Sequence, residues 1–357
     1  MKKAPTKLIT ELTKNKLTKV VKQGMSESIP EKSFYVKELE KQQAFSDKYN
    51  IMHWNINGVR SVIKKDPFTN YMQKNDFDII CFNETKICYD KMKGEKLDEN
   101  KLWADEYHQY WAFSTRKKGY SGCAVFSKQK PINYTFGVKH ALFDSEGRTI
   151  TLEYPEFFLV SCYVPNASSG LVRLDIKTKE WQKAFEEHLI TLKEKKSVVV
   201  VSDLNVVHKE IDIHNPVGKH KAPGFTKEER SDFDKLLNKG FKDSWRERNP
   251  GKVQYTWWAA RGNVRKENKG WRLDYCVVND DAYKYVKDVI IKDMVYGSDH
   301  CPLEVQLNFE KKEEEKAEKE AQNEAKAETN KKAEADAEEE IKEKSAKKNE
   351  ENGKADN

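Results

Sequence analysis

SVVVVSDLN, residues 197–205, is the stretch on which the reading of this chain turns. Four consecutive valines are apolar on both faces of a pleat, so the segment predicts a strand covered on both sides rather than one with a wet face. It stops abruptly on Ser202, Asp203, Leu204 and Asn205. In layered α/β proteins, ligands gather at the carboxyl ends of strands, where a polar side chain can leave the sheet while its backbone stays anchored. Asp203 and Asn205 are two residues apart and would lean to the same side if extended geometry ran that far. Taken alone, the same residues could simply open a turn. The repetition of the pattern elsewhere gives it weight.

Working outward, residues 51–56 of YNIMHWNINGVR (49–60) read as a strand closing on Asn55, Asn57 and Gly58. Residues 79–82 of DFDIICFNETK (76–86) read as another, with Glu84 just past its end. GCAVFS (122–127) and FFLVSCYV (157–164) follow, the latter leading to Tyr163 and Asn166. Late in the chain, 273–278 and 302–307 read as strands, accompanied by Asp274 and by the Ser298-Asp299-His300 turn. Between them, Trp181, Ala184, Phe185, His188, Leu189 and Leu192 form a helical stripe, with His188 as a core or boundary histidine. Thr226 and Glu229 form a capping box with Phe225 as the staple residue, opening a helix that carries Phe233, Leu236 and Leu237. Strands alternating with helices, together with hairpin-like pairs, predict a layered α/β sandwich rather than a purely parallel sheet.

The charge is unevenly placed. The 357 residues carry a net +6, but residues 310–357 hold 12 lysines and 17 acidic residues, which leaves +11 on residues 1–309. A basic body suits a polyanionic partner. Residues 1–45 are lysine-rich and poor in large apolar groups, which predicts a disordered or partly helical arm. Residues 46–309 are the expected folded domain, and 310–357 a solvated helical or disordered tail. Six cysteines without a C-x-x-C pair read as reduced thiols in a cytosolic or nuclear setting, and no cluster of Cys and His has zinc spacing. No apolar run approaches the roughly 18 residues of a membrane span, and no hydrophobic secretory signal opens the chain.

Asn57, Glu84, Asp203, Asn205, Asp274, Asp299 and His300 offer carboxylates, amides and one imidazole, with no Walker-type loop. Magnesium binds through one or two carboxylates and takes its remaining oxygens from water and phosphate. With a basic surface, this set points to metal-assisted attack on a phosphodiester.

Eight motifs in order, WNINGVR (54–60), NETK (83–86), GYSG (119–122), YVPNA (163–167), SDLNV (202–206), GFTKEER (224–230), GWRLDY (270–275) and GSDHCP (297–302), carry a resemblance. The chain resembles the exonuclease III type of apurinic/apyrimidinic (AP) endonuclease, within the endonuclease/exonuclease/phosphatase superfamily, over about residues 49–307. The resemblance implies a four-layered α/β sandwich, two packed mixed β-sheets flanked by helices. It implies an enzyme that cuts DNA 5′ to an abasic site in base excision repair, with 3′–5′ exonuclease and 3′-end-cleaning activity, Mg²⁺ as cofactor and Mn²⁺ as a substitute. Glu84 would be the principal metal ligand beside Asn57 and Asp299, with Asp203, Asn205 and His300 also in the metal-proximal set. Asp203, oriented by Asn205, would activate water, and His300, held by Asp274, would stabilise charge on the phosphate. Asn55 matches the residue that orders this network, and Tyr163 and Asn166 match phosphate and active-site contacts. Arg60, Ser61, Lys65 and Tyr120 match positions that hold the DNA backbone. Trp257 and Trp271 match the walls of the abasic-sugar pocket, Arg261 stands where a methionine wedges the groove, and Trp258 is a packing residue.

Several positions depart from the vertebrate pattern. Asn57 replaces an Asp, as in bacterial members; Ser169 replaces a DNA-reaching Arg; Lys219 and Ala222 replace two asparagines. Met52 replaces a redox cysteine, so no redox activity is expected. The implied partner is double-stranded DNA with abasic sites, with repair proteins meeting the tails, in a monomeric nuclear enzyme; the mitochondrion is the alternative compartment. Competing readings are a phosphoinositide or nucleotide phosphatase of the same superfamily and a non-catalytic DNA-binding scaffold.

Overall fold

Alternation of side chains along a few strands sets the architecture of this protein. The structure, a computed structural model, describes residues 32–40 and 43–310. Among these, thirteen strands form two mixed sheets. They are β1 (Phe34–Lys37), β2 (Lys48–Asn55), β3 (Ile79–Asn83), β4 (His108–Ala112), β5 (Cys123–Ser127), β6 (Asn133–Phe136), β7 (Thr149–Glu153), β8 (Phe157–Tyr163), β9 (Ser197–Asp203), β10 (Phe241–Asp243), β11 (Asp274–Asn279), β12 (Val286–Ile291) and β13 (Leu303–Asn308). One sheet runs β1-β4-β5-β3-β2-β13-β12 and the other β10-β11-β9-β8-β7-β6. Each holds one parallel pair, β2 with β3 and β8 with β9, inside an otherwise antiparallel sheet.

Period two divides each central strand between two environments. Met52 and Trp54 of β2, with Ile80 and Phe82 of β3, pack against Phe68, Tyr71 and Met72 of α1 (Asp66–Lys74). Val198 and Val200 of β9 pack against Phe185, Leu189 and Leu192 of α2 (Gln182–Lys193), and against Phe233 and Leu236 of α3 (Lys227–Asn238). The alternate residues Ile51, His53, Asn55, Val199, Val201 and Asp203 are buried too. They lie between the sheets, where His53 Nε2 reaches Asp274 Oδ1 (3.1 Å) and the Asp203 amide donates to Asn83 Oδ1 (3.2 Å). The expected sandwich of two mixed sheets flanked by helices is therefore present, and the four valines are covered on both faces.

The predicted capping box opens α3. Thr226 Oγ1 accepts from the Glu229 amide (3.2 Å) and Glu229 Oε2 accepts from the Thr226 amide (3.3 Å). A π-helical turn, Ile176–Trp181, precedes α2 and turns Lys177 inward, where Nζ meets Glu229 Oε1 (2.7 Å) and the Asn205 carbonyl (2.6 Å). His188 is the boundary histidine expected: Nε2 lies 2.9 Å from Thr151 Oγ1, and burial lowers its pKa to about 4.

The arm expected over residues 1–45 is corrected at β1, which pairs with β4 so that Tyr35 stands opposite Trp111. Tyr35 also donates to Asp98 Oδ2 (2.8 Å). Four residues of strand inside a lysine-rich stretch are too short to show periodicity, and cross-strand packing supplies what composition lacks. Residues 1–31 and the tail beyond Glu310 lie outside the described residues. Strands β4, β6, β7, β10 and β12 also went unread in the sequence. No helix among the described residues is long and apolar enough to cross a membrane.

Candidate active site

The carboxyl ends of the two parallel pairs converge. Asn55 stands beside Asn83 across β2 and β3, Tyr163 beside Asp203 across β8 and β9, and Asp274 opens β11 opposite Asp203. Asn55 joins the sheets: its Nδ2 donates to Glu84 Oε1 (3.0 Å) and to Asp203 Oδ2 (2.9 Å). Asp203 and Asn205 meet through a turn rather than through continued strand alternation. Asn205 takes a left-handed φ of 48°, its amide donates to Asp203 Oδ1 (2.9 Å), and its Nδ2 lies 3.3 Å from Asp203 Oδ2. Asn166 Nδ2 completes the turn on Asn205 Oδ1 (2.8 Å). Glu84 is also left-handed, at φ 54°, a conformation that costs a non-glycine residue about 1 kcal/mol or more. The Gly58 amide pins it by donating to the Glu84 carbonyl (2.8 Å).

Around Glu84 the donors are oxygens. Asn57 Nδ2 donates to Asp299 Oδ1 (2.9 Å), and Trp257 Nε1 to Asp299 Oδ2 (3.2 Å). Ser298 Oγ ties Asp299 Oδ1 (3.1 Å) to the Asn55 carbonyl (2.8 Å). Lys86 Nζ lies 2.6 Å from Glu84 Oε2 and also donates to Asn57 Oδ1. Burial pushes the Glu84 carboxyl up, but Lys86, Asn55 and the Tyr163 hydroxyl outweigh it and hold the group below the usual carboxylate range. Asp299 is likewise held down: burial raises it, and His300, Asn57 and Trp257 more than offset this. Two carboxylates and an amide oxygen, with a lysine ammonium already placed against two of them, fit a hard divalent cation. Lys86 has no assigned role in the sequence motif NETK, where its only signal is the spacing of two from Glu84.

Behind this lies a buried chain of acid and imidazole. His300 Nδ1 meets Asp274 Oδ2 (2.7 Å), His53 Nε2 takes the other Asp274 oxygen (3.1 Å), and His300 Nε2 faces Asp203 Oδ2 at 3.8 Å. Burial opposes charge on His300, yet Asp274 and then Asp203 raise its pKa to about 10, so it is an imidazolium at neutral pH. Burial, aided by Asp274 and Glu84 and opposed by His300, raises Asp203 to about 7. Asp274 stays well below the carboxylate range despite burial, because both histidines bind it. Asp203, Asp274 and His300 lie close enough to surround an ion. Both Asp274 oxygens are already taken by His53 and His300, so the trio stands as a buried chain of acid and imidazole. His53 was missed by sequence reading; a polar residue two before Asn55 on the same strand face was the available clue.

Comparison with known proteins agrees with this arrangement. Residues 52–300 match the model of the Endonuclease/Exonuclease/phosphatase family. The chain belongs to this family. It is 41% identical over 259 residues to an exodeoxyribonuclease of Bacillus subtilis (strain 168), covering 72% of this chain and 99% of the relative. It is 45% identical over 259 residues to the DNA repair nuclease APEX1 of Danio rerio, covering 72% of this chain and 81% of that one. Among solved structures, the AP endonuclease LMAP from Leishmania major superposes with a TM-score of 0.67 at 26% identity, over 76% of this chain and 93% of that one. The expected identification with exonuclease III-type AP endonucleases holds.

In this family member the expected DNA contact Trp257 adjoins the hydrogen-bonded cluster through Asp299. Trp257 and Trp271 are half-buried and edge-to-face at 5.8 Å, and they pack on Val207, Ile213, Phe225 and Leu273. The Trp257 ring lies 6.5 Å from His300. Trp258 is buried as a packing residue, as expected, with the Arg265 guanidinium 4.4 Å from its ring. Lys219 Nζ lies 5.9 Å over Trp271. Arg60, Ser61 and Lys65 are exposed; Arg60 pairs with Glu95 (3.3 Å) and Lys65 donates to the Gly297 carbonyl (2.6 Å). Arg261 is exposed in the loop after Trp258, and Tyr120 is half-buried beyond the Tyr163 side of the site. Met52 is fully buried among apolar neighbours.

Proposed function

We propose that this nuclease hydrolyses the phosphodiester 5′ to an abasic site in duplex DNA, leaving a 3′-hydroxyl and a 5′-deoxyribose phosphate, with 3′–5′ exonuclease and 3′-end-cleaning activity beside it. The observation that carries the reading is Asn55, which joins a carboxylate set suited to a cation, Glu84, to an acid of near-neutral pKa, Asp203, that faces a protonated His300. Glu84, Asn57 and Asp299 would hold a divalent metal, Mg²⁺ by donor type with Mn²⁺ as a substitute. When bound, it neutralises phosphate charge and favours attack at phosphorus. Asp203, oriented by Asn205, takes the proton from the attacking water. His300 donates from Nε2 to a phosphate oxygen as charge builds there, and Asp274 keeps it charged. Tyr163 and Asn166 hold Glu84 and Asn205 in register. Removing one preorganised contact of this kind costs about 10²- to 10³-fold in rate.

Abasic preference is supported by the Trp257 and Trp271 wall beside His300, an apolar surface suited to an extruded sugar that carries no base to unstack. Arg60, Ser61, Lys65, Tyr120 and Arg261 supply backbone and groove contacts that are blind to sequence. The same reading makes residues 46–309 the catalytic domain of a monomeric nuclear enzyme whose tails meet other repair proteins. The test is strand cleavage of a duplex with one synthetic abasic site, in Mg²⁺ or EDTA, by wild type and Asp203→Ala. Metal-dependent cutting 5′ to the lesion that vanishes in the variant is expected. Intact abasic DNA alongside phosphate release from a small phosphoester would replace this reading with a phosphatase.

A further inference from the structure

Beneath Tyr120 lie the buried guanidinium of Arg148, the partly exposed guanidinium of Arg173 and one buried carboxylate, which the chemistry above does not use. Glu146 accepts from Arg148 Nε (2.6 Å) and from Arg173 Nη2 (3.1 and 3.2 Å). Arg148 is 1% exposed, and Glu146 is also buried. Both arginines then donate to one atom, the Tyr120 hydroxyl: Arg148 through Nη2 (2.7 Å) and Arg173 through Nη1. A phenol oxygen has one hydrogen to give and lone pairs to share. With two N–H donors on those lone pairs, the O–H hydrogen of half-buried Tyr120 is directed to a further partner, and that partner must be an acceptor. The group beneath it carries one uncompensated positive charge, and Lys117 Nζ lies 6.0 Å over the Tyr120 ring, which favours an anion as that acceptor.

The same guanidinium reaches the metal-facing side of the site. Arg148 Nη1 donates to the Tyr163 carbonyl (2.9 Å) and stacks 4.9 Å from the Tyr163 ring. The Tyr163 hydroxyl donates to Glu84. We propose that Glu146, Arg148 and Arg173 are positioning residues for strand binding: they fix Tyr120 as a hydrogen-bond donor to a DNA backbone phosphate and tie that contact, through Tyr163, to Glu84. This inference rests on the nuclease reading above.

Steady-state cleavage of an abasic duplex by Tyr120→Phe, Arg173→Met, Arg173→Lys and the Y120F/R173M double variant tests it, with thermal melting of each protein. Tyr120→Phe and Arg173→Met are each expected to raise KM about tenfold, the size of a lost hydrogen bond to a charged group, with the loss concentrated in KM rather than kcat. The double variant should be no worse than Y120F alone, and Arg173→Lys should recover part of the loss. An unchanged KM in Tyr120→Phe, a variant that keeps the ring, would overturn the proposal. So would losses that multiply in the double variant, or an Arg173→Met defect confined to kcat and melting temperature. A wild type that cuts abasic DNA while these variants match it rejects this inference alone; a wild type that does not cut rejects the function itself.

Discussion

Asp274 illustrates how one buried residue governs the chemistry of its neighbours. Its two oxygens are divided between His53 and His300, and its charge keeps His300 protonated to about pH 10 from an ordinary 6.5. Asp274→Asn keeps the shape and removes the charge, so the imidazole should titrate nearer its ordinary value. We expect kcat to drop about 10²-fold at pH 6. It should then fall further as the pH rises above about 7, where the variant's His300 becomes neutral while the wild type's stays charged. A pH profile of kcat from 5.5 to 9 checks this, and parallel profiles for the two proteins would refute it. At this scale Asp203, Asn205, Asp274 and His300 were legible because each stands at a strand end or in the turn beside one. Lys86 and His53 were not. A lysine in a loop and a histidine inside a strand are common, and only contact distances give them meaning.

Among the elements, the π-turn before α2 carries the clearest consequence. It sets Lys177, 5% exposed, between Glu229 and the carbonyl of left-handed Asn205. Lys177→Met leaves Glu229 buried without its cation and should destabilise the protein by about 3–5 kcal/mol, read as a lowered urea midpoint at constant slope. The α2 and β7 contact through His188 and Thr151 gives a pH dependence. The folded pKa of about 4 lies below the unfolded 6.5, so the contribution is full above about pH 6.5 and is lost as the pH falls toward 4. At pH 5 the loss is about 2 kcal/mol. His188→Leu should flatten the fall in denaturant midpoint between pH 7 and 5, whereas an identical fall in the variant would remove this histidine from the account. Helix α3 was readable from its capping box, and β9 from its valines. Strands β4 and β12 were missed because HQYWA and VKDVII do not alternate cleanly over five or six positions, whereas TITLE in β7 alternates polar and apolar residues strictly and carried a readable strand signal.

For the whole molecule, the excess of basic over acidic residues in 1–309 predicts binding to DNA that weakens steeply with salt. Each phosphate contact contributes about 0.9 to the slope of log affinity against log salt. Arg60→Gln with Lys65→Gln should therefore flatten that slope by about 1.8 between 50 and 200 mM salt, measured by fluorescence anisotropy. An unchanged slope would place both side chains off the DNA path. In the sequence alone, eight ordered motifs carried the resemblance to the family, while local composition and short-range pattern carried the α/β class, the central strands and the polar residues at their ends. Only the tertiary structure decided which of those ends meet. Asn55 bridges Glu84 and Asp203 because two parallel pairs, from separate sheets, finish at one edge of the sandwich. Likewise Tyr120 acquires its direction from Arg148 and Arg173, 28 and 53 residues away along the chain. Contacts over such separations depend on the stacking of whole sheets, which no local run of residues encodes.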